Sequence, residues 1–191
     1  MNTTEFNEAK TLWKMFYASE CFRRAKASAQ HILKEKLENG HPLFYPLLCA
    51  TYILYGKPFT VWHGVGRLEE SMVPKEYLAL HTMLMDHRHK LYAHTDANAS
   101  PVPDLGPPNQ VRVAKRMVGT QQFMQLYAVD FHPMYTAMQP VITLCEILEQ
   151  KANYHVKKQW DKHKSTIPLE VGEYMLNVLN EKGAMWLPAQ P

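Results

Sequence analysis

Between Phe6 and Leu37 the apolar residues Phe6, Ala9, Leu12, Trp13, Phe16, Tyr17, Phe22, Ala25, Ile32 and Leu33 return at mostly three- and four-residue steps. That period is the signature of a long amphipathic helix, and one apolar face of such length must be covered by other elements. The chain is thereby restricted to folds built on helix packing. Both ends of the helix are marked. Asn2 with Glu5 three residues later has the layout of a capping box, and Asn39-Gly40 followed by Pro42 supplies a left-handed cap and a stop.

The remaining elements follow from the same reading. "PLFYPLLCATYILYG" is apolar nearly all round and closes on Gly56 and Pro58, which predicts a short helix buried on most sides at the centre of the core. Residues 57 to 73 have no clean period and read as a structured connection. Within it, "VWHGVG" around His63 reads as a packed turn, because it lacks the order of a phosphate-binding loop. Pro74 is expected in the first turn of a third helix carrying Leu80, Leu84 and Leu91. A Pro-rich stretch at 97–109 cannot continue a helix and is expected as an exposed loop. Residues 110 to 130, with Gly119 among Val111, Val113, Phe123, Leu126, Tyr127 and Val129, fit a two-stranded hairpin. A fourth helix is expected from Pro133 to about Lys164, and a fifth from Pro168 through Val171, Met175, Val178 and Leu179 to Gly183. The fold class is therefore all-α: a single domain over 1–191, a bundle of four to five helices with a small β-hairpin inserted between helices three and four.

Composition narrows the function classes. Hydrophobic residues at 46% and charged residues at 20% belong to a globular chain. No apolar run approaches the roughly 18 residues of a spanning helix, and "MNTTEFNEAK" lacks the layout of a secretion signal, so no membrane role and a cytoplasmic location are expected. Cys21, Cys49 and Cys145 are odd in number and widely spaced, which favours reduced, mostly buried thiols over disulfides or a thiolate zinc site. The formal charge of +3 is compatible with a polyanionic partner.

The densest chemistry lies in "DHRHKLYAHTD", residues 86 to 96, where His87, Arg88, His89, Lys90 and His94 gather at the expected end of the third helix. Cleaving RNA without a metal takes a base for the ribose 2′-hydroxyl, an acid for the leaving 5′-oxygen, and positive charge against the developing phosphorane. Histidine fills the first two roles near neutral pH, and the guanidinium fork of arginine suits the third. Arg88 and His94 are the pair of interest. Six residues apart on a regular helix, they would diverge by roughly 240° around the axis. Either the last turn loosens near Ala93, or the site is completed by a second subunit.

An arginine, a polar residue and then a histidine a few positions on, here Arg88, His89 and His94 with five residues between the first and last, resembles the motif of HEPN domains (higher eukaryote and prokaryote nucleotide-binding). "RHKLYAH" resembles the RNKxxAH form of abortive-infection members. The resemblance covers about eleven residues. It implies a four- or five-helix bundle, a homodimer that juxtaposes the two motifs, and metal-independent endoribonuclease activity in toxin, antiviral-defence or RNA-processing settings, with no cofactor. Carried over, Arg88 holds the scissile phosphate, His94 is the general base or acid, and His89 supports them. A neutralising antitoxin or defence-system protein is the implied partner. Members silenced by AMP addition commonly carry a tyrosine two residues after the histidine. Asp96 stands there, which argues against that form of neutralisation.

From charge alone, Lys90, Arg112, Lys115 and Arg116 are candidate contacts to the RNA backbone. Other readings stand beside these. The cluster could be a solvated face whose cations offset the helix dipole, and His87 and Lys90 taken singly read as surface residues. The 112–116 cations could merely guard a hairpin edge. His87 and His94, seven apart, share a helical face and with Asp86 or His63 could bind a metal for hydrolysis, although no HExxH pattern supports it. A non-catalytic module binding RNA, nucleotide or protein is the remaining alternative.

Overall fold

The computed structural model describes residues 2–38, 40–89, 111–128, 138–179, 182–183 and 185–189. Among them are four α-helices and two small antiparallel hairpins: α1 (Thr3–Lys34), α2 (Phe44–Gly56), α3 (Leu78–His87), β1 (Val111–Val118), β2 (Gln121–Ala128), α4 (Met138–His163), β3 (Tyr174–Leu176) and β4 (Trp186–Pro188). The mostly helical class and the hairpin between the third and fourth helices agree with the sequence. The Pro-rich stretch 97–109 lies outside the described residues.

The long helix starts as expected. The Asn2 side chain accepts the Glu5 N–H and the Glu5 carboxylate accepts the Asn2 N–H, both at 2.9 Å, so two otherwise unpaired backbone donors are satisfied reciprocally. Its buried face, including Leu12, Ala18, Phe22, Ala25, Ala29 and Ile32, packs along α4, whose Val141, Leu144, Cys145, Leu148 and Ala152 are buried in turn. Small residues on that face let the two backbones approach. Polar ties between the helices set their sense. Lys26 pairs with Glu149 (2.7 Å), Ser19 donates to Asn153 (2.6 Å), and Lys162 pairs with Glu8 (3.1 Å). As the α1 partner moves toward the N-terminus, the α4 partner moves toward the C-terminus, so the helices are antiparallel.

The end of α1 departs from expectation. The helix stops at Lys34, and the left-handed residue that caps it is Lys36 (φ 50); Gly40 is also at positive φ (100) but lies beyond the cap. The Lys36 N–H donates to the Leu33 carbonyl (3.2 Å) and the Leu37 N–H to Ile32 (3.0 Å), with Leu37 and Ile32 both buried. This is a Schellman cap, and the burial of Leu37 holds it in place although lysine is a poor left-handed residue. Lys36→Gly is accordingly expected to raise unfolding free energy by about 0.5–1 kcal/mol, read as a higher urea midpoint at unchanged slope.

α2 lies at the centre, with Phe44, Leu48, Tyr52 and Tyr55 buried. Phe22 of α1, Tyr55 and Phe59 form an aromatic knot with ring centroids 5.7–6.0 Å apart. "VWHGVG" is the packed turn anticipated: Trp62 and Gly66 exchange backbone hydrogen bonds of 3.2 and 2.9 Å, and the Trp62 ring packs on Trp13 and Tyr17 of α1. Cys21 and Cys145 are buried and Cys49 half-buried, all as free thiols, and burial pushes the Cys145 thiol up to about 12.

Two boundaries change. Pro74 is extended (ψ 143) and outside the third helix, which opens at Leu78 after a 3₁₀ turn over Lys75–Tyr77. The fifth helix is absent among the described residues. After α4 the chain makes a 3₁₀ turn at Lys164–Thr166 and then pairs Met175 with Leu187 and Leu176 with Trp186 in the β3–β4 hairpin. The reason is the lack of a surface to cover a helical stripe there: Leu169, Val171 and Leu179 are exposed, and of the expected stripe only Val178 is buried. Trp186 instead ties the hairpin to the end of α4, donating to the Thr166 hydroxyl (3.0 Å) and meeting Trp160 edge-on. No helix among the described residues is long and apolar enough to cross a membrane.

Candidate functional site at the end of the third helix

α3 is short and apolar, and it packs antiparallel against the C-terminal half of α2. Tyr52 stacks on His87 (5.4 Å, 28° between planes), while Tyr55 meets His81 one and a half turns earlier. His87 is therefore not the surface residue expected of it. It is 2% exposed, and its position three residues after Leu84 puts it on the buried stripe of α3.

At Arg88 and His89 the helix widens into a π turn. Such widenings concentrate at functional positions because they re-aim the side chains that follow. The Arg88 N–H still bonds to the Leu84 and Met85 carbonyls. Its side chain is half-buried, and its methylene stem runs over Gly56, where any Cβ would collide with the Arg88 Cδ. Gly56 has helical dihedrals (φ −80, ψ −19), so the backbone does not require glycine there; the arginine does. The guanidinium reaches the adjacent ring, Nη1 lying 3.2 Å from Nδ1 of His89, while Nε is buried with no hydrogen-bond acceptor among the described residues. A guanidinium fork with donors left over suits an oxyanion.

Of the site residues expected from the sequence, the structure brings Arg88 and His89 together. His94 and Lys90 lie outside the described residues. Lys115 and Arg116 are exposed on β1, with Arg116 directly opposite Phe123 and Lys115 opposite Met124, and neither makes a polar contact with Arg88. Arg112 stands opposite Tyr127 in the same ladder. No group of three or more His, Cys, Asp or Glu able to hold a metal occurs among the described residues, and His87 is committed to packing against Tyr52.

Sequence reasoning passed over His81. It is 6% exposed, its Nδ1 is 2.8 Å from the Tyr55 hydroxyl, and the Phe59 ring lies edge-on 4.6 Å away. Burial holds its pKa below the ordinary 6.5, with Glu70 opposing the shift only in part. Seven residues ahead of Arg88 on an apolar helix, it carried one usable signal: it lies on the same helical stripe as Met85 and Arg88. His81 also lines a cavity of about 350 Å³ between α3 and residues 67–70. No protein-family model, curated protein or solved structure matches the chain.

Proposed function

We propose that this chain is a metal-independent endoribonuclease of HEPN type, acting as a homodimer in the cytoplasm within a toxin or antiviral-defence system. The observation that carries the proposal is Arg88, clamped over Gly56 at a widened helix end with its guanidinium beside His89. In this reading Arg88 binds the scissile phosphate and stabilises the phosphorane charge. His94 takes the proton of the 2′-hydroxyl as that oxygen bonds to phosphorus. The 5′-oxygen leaves with a proton supplied by a second imidazole, which two chains sharing one cleft provide. The products are a 2′,3′-cyclic phosphate and a 5′-hydroxyl. Lys90, Arg112, Lys115 and Arg116 contribute backbone charge.

The test is incubation of single-stranded RNA with the purified protein in excess chelator. Cleavage with 2′,3′-cyclic phosphate ends supports the proposal, and cleavage that requires an added divalent cation overturns it. Gly56→Ala is a gentler probe of the clamp. Alanine suits a helix better than glycine by about 1 kcal/mol, but its Cβ displaces the Arg88 stem at an overpacking cost of about 1–3 kcal/mol, so stability should fall by no more than about 2 kcal/mol. Arg88 must move, however, and RNA cleavage is expected to fall by about 10–100-fold in the same protein.

A second reading, a non-catalytic RNA- or protein-binding module, is favoured by one feature. Met117, Val118, Phe123 and Met124 are all exposed on the β1–β2 hairpin beside Lys115 and Arg116. Binding of RNA by Arg88→Ala at wild-type affinity, with no cleavage by either protein, would support it.

A further inference from the structure

The Tyr55–His81 pair fixes a tautomer. Tyr55 is fully buried, and among the described residues its hydroxyl has one hydrogen-bond partner, Nδ1 of His81. A buried hydroxyl without another acceptor must donate there, or its proton goes unbonded at a cost of about 1–3 kcal/mol. Nδ1 is then an acceptor, and the neutral ring carries its hydrogen on Nε2. Nε2 has no hydrogen-bond partner among the described residues, and the His81 ring forms part of the wall of the cavity. His81, a residue only 6% exposed, thus has one N–H donor left for a ligand in this open cavity.

The rest of that space has a distinct chemistry. Phe59, Leu68 and Met85 give it an apolar floor. Glu69 and Glu70 stand at its mouth as exposed carboxylates, with Arg67 beside them. A ligand that satisfies all of this is flat and apolar in its faces, offers a hydrogen-bond acceptor to His81, and carries amino hydrogens for a carboxylate. Guanine, adenine and cytosine combine a ring or carbonyl acceptor with an exocyclic amine; uracil has acceptors but no amine. The volume falls in the range of small-ligand sites.

We infer that this cavity is a recognition pocket for an amino-bearing nucleobase, with the Nε2–H of His81 as the donor to the base and the carboxylate rim as the acceptor of its amine. The inference rests on the nuclease reading for its purpose. The pocket precedes Arg88 on one stripe of α3, so it would receive the base next to the phosphate that Arg88 holds and bias cleavage against uridine. Arg67 remains for the phosphate of the inserted nucleotide.

Calorimetric titration of the full chain with GMP, AMP, CMP and UMP tests the pocket without any cleavage. At least one of the first three should bind at least tenfold more tightly than UMP. Glu69→Gln and Glu70→Gln, both on the exposed rim, should reduce that preference, and ¹⁵N–¹H correlation at neutral pH should find the His81 hydrogen on Nε2. Equal binding of all four monophosphates, binding of none at millimolar concentration, or the hydrogen on Nδ1 would overturn the inference. The two proposals fail separately. Selective binding by a protein that never cuts RNA leaves the pocket and removes the nuclease, while cutting with no base binding does the reverse.

Discussion

Replacing His94 by alanine is expected to lower the rate of RNA cleavage by about 10²–10⁴-fold, the usual contribution of one positioned general acid or base. Each factor of ten corresponds to about 1.4 kcal/mol of transition-state stabilisation, so the loss sits near 3–5.5 kcal/mol. The effect should fall on kcat more than on KM, since the proton transfer belongs to the transition state and the imidazole adds little to ground-state binding. Arg88→Lys gives a useful contrast. Lysine keeps the charge but has neither the planar fork nor the same hold across Gly56, so activity should drop although net charge does not change. A His94→Ala protein that cuts RNA at the wild-type rate would remove the imidazole from the mechanism.

The largest stability effect is expected at Phe22. The residue is fully buried at the junction of α1, α2 and the turn after α2, with Tyr55 and Phe59 on its ring. Phe22→Ala removes most of a ring from a site whose neighbours are held by other contacts, so the cavity collapses only in part. The expected cost is about 3–5 kcal/mol, which for a chain of this size lowers the melting temperature by about 6–20 °C. Phe16 on the same helix is 58% exposed, and Phe16→Ala should change stability by no more than about 0.5 kcal/mol. Similar losses at the two positions in urea unfolding would mean that the core is not centred on this aromatic knot.

The parts of the fold that were legible in the sequence are those specified by local chemistry. The Asn2–Glu5 cap, the apolar α2 and the Gly119 turn between β1 and β2 each depend on residues within a few positions of one another. The misread elements depend on what surrounds them. Lys36 takes the left-handed position because Leu37 finds a buried site beside Ile32, a tertiary effect that outweighs the preference for Asn39-Gly40. Val171, Met175, Val178 and Leu179 have helical spacing, but only Val178 finds a buried place and the other three stay exposed. His87 lies in a charged run that suggested a surface, whereas its spacing from Leu84 predicted the interior.

The site divides in the same way. Arg88 was legible from its motif, but its clamp was not, because Gly56 lies thirty-two residues earlier and becomes relevant only when α2 and α3 cross. His81 in "EYLALHTML" stands apart from the charged run, and nothing local announces Tyr55 as its partner.

The central claim is that Arg88 and His94 act on one phosphodiester as a unit, and a double-mutant cycle tests it most directly. RNA cleavage in excess chelator is measured for the wild type, Arg88→Ala, His94→Ala and the double variant. Groups that serve a single transition state are strongly non-additive. Each single change is expected to remove nearly all activity, and the double variant to be no more than a few-fold slower than the worse single. Losses that multiply in the double variant, or a single variant that cuts as the wild type does, would contradict it.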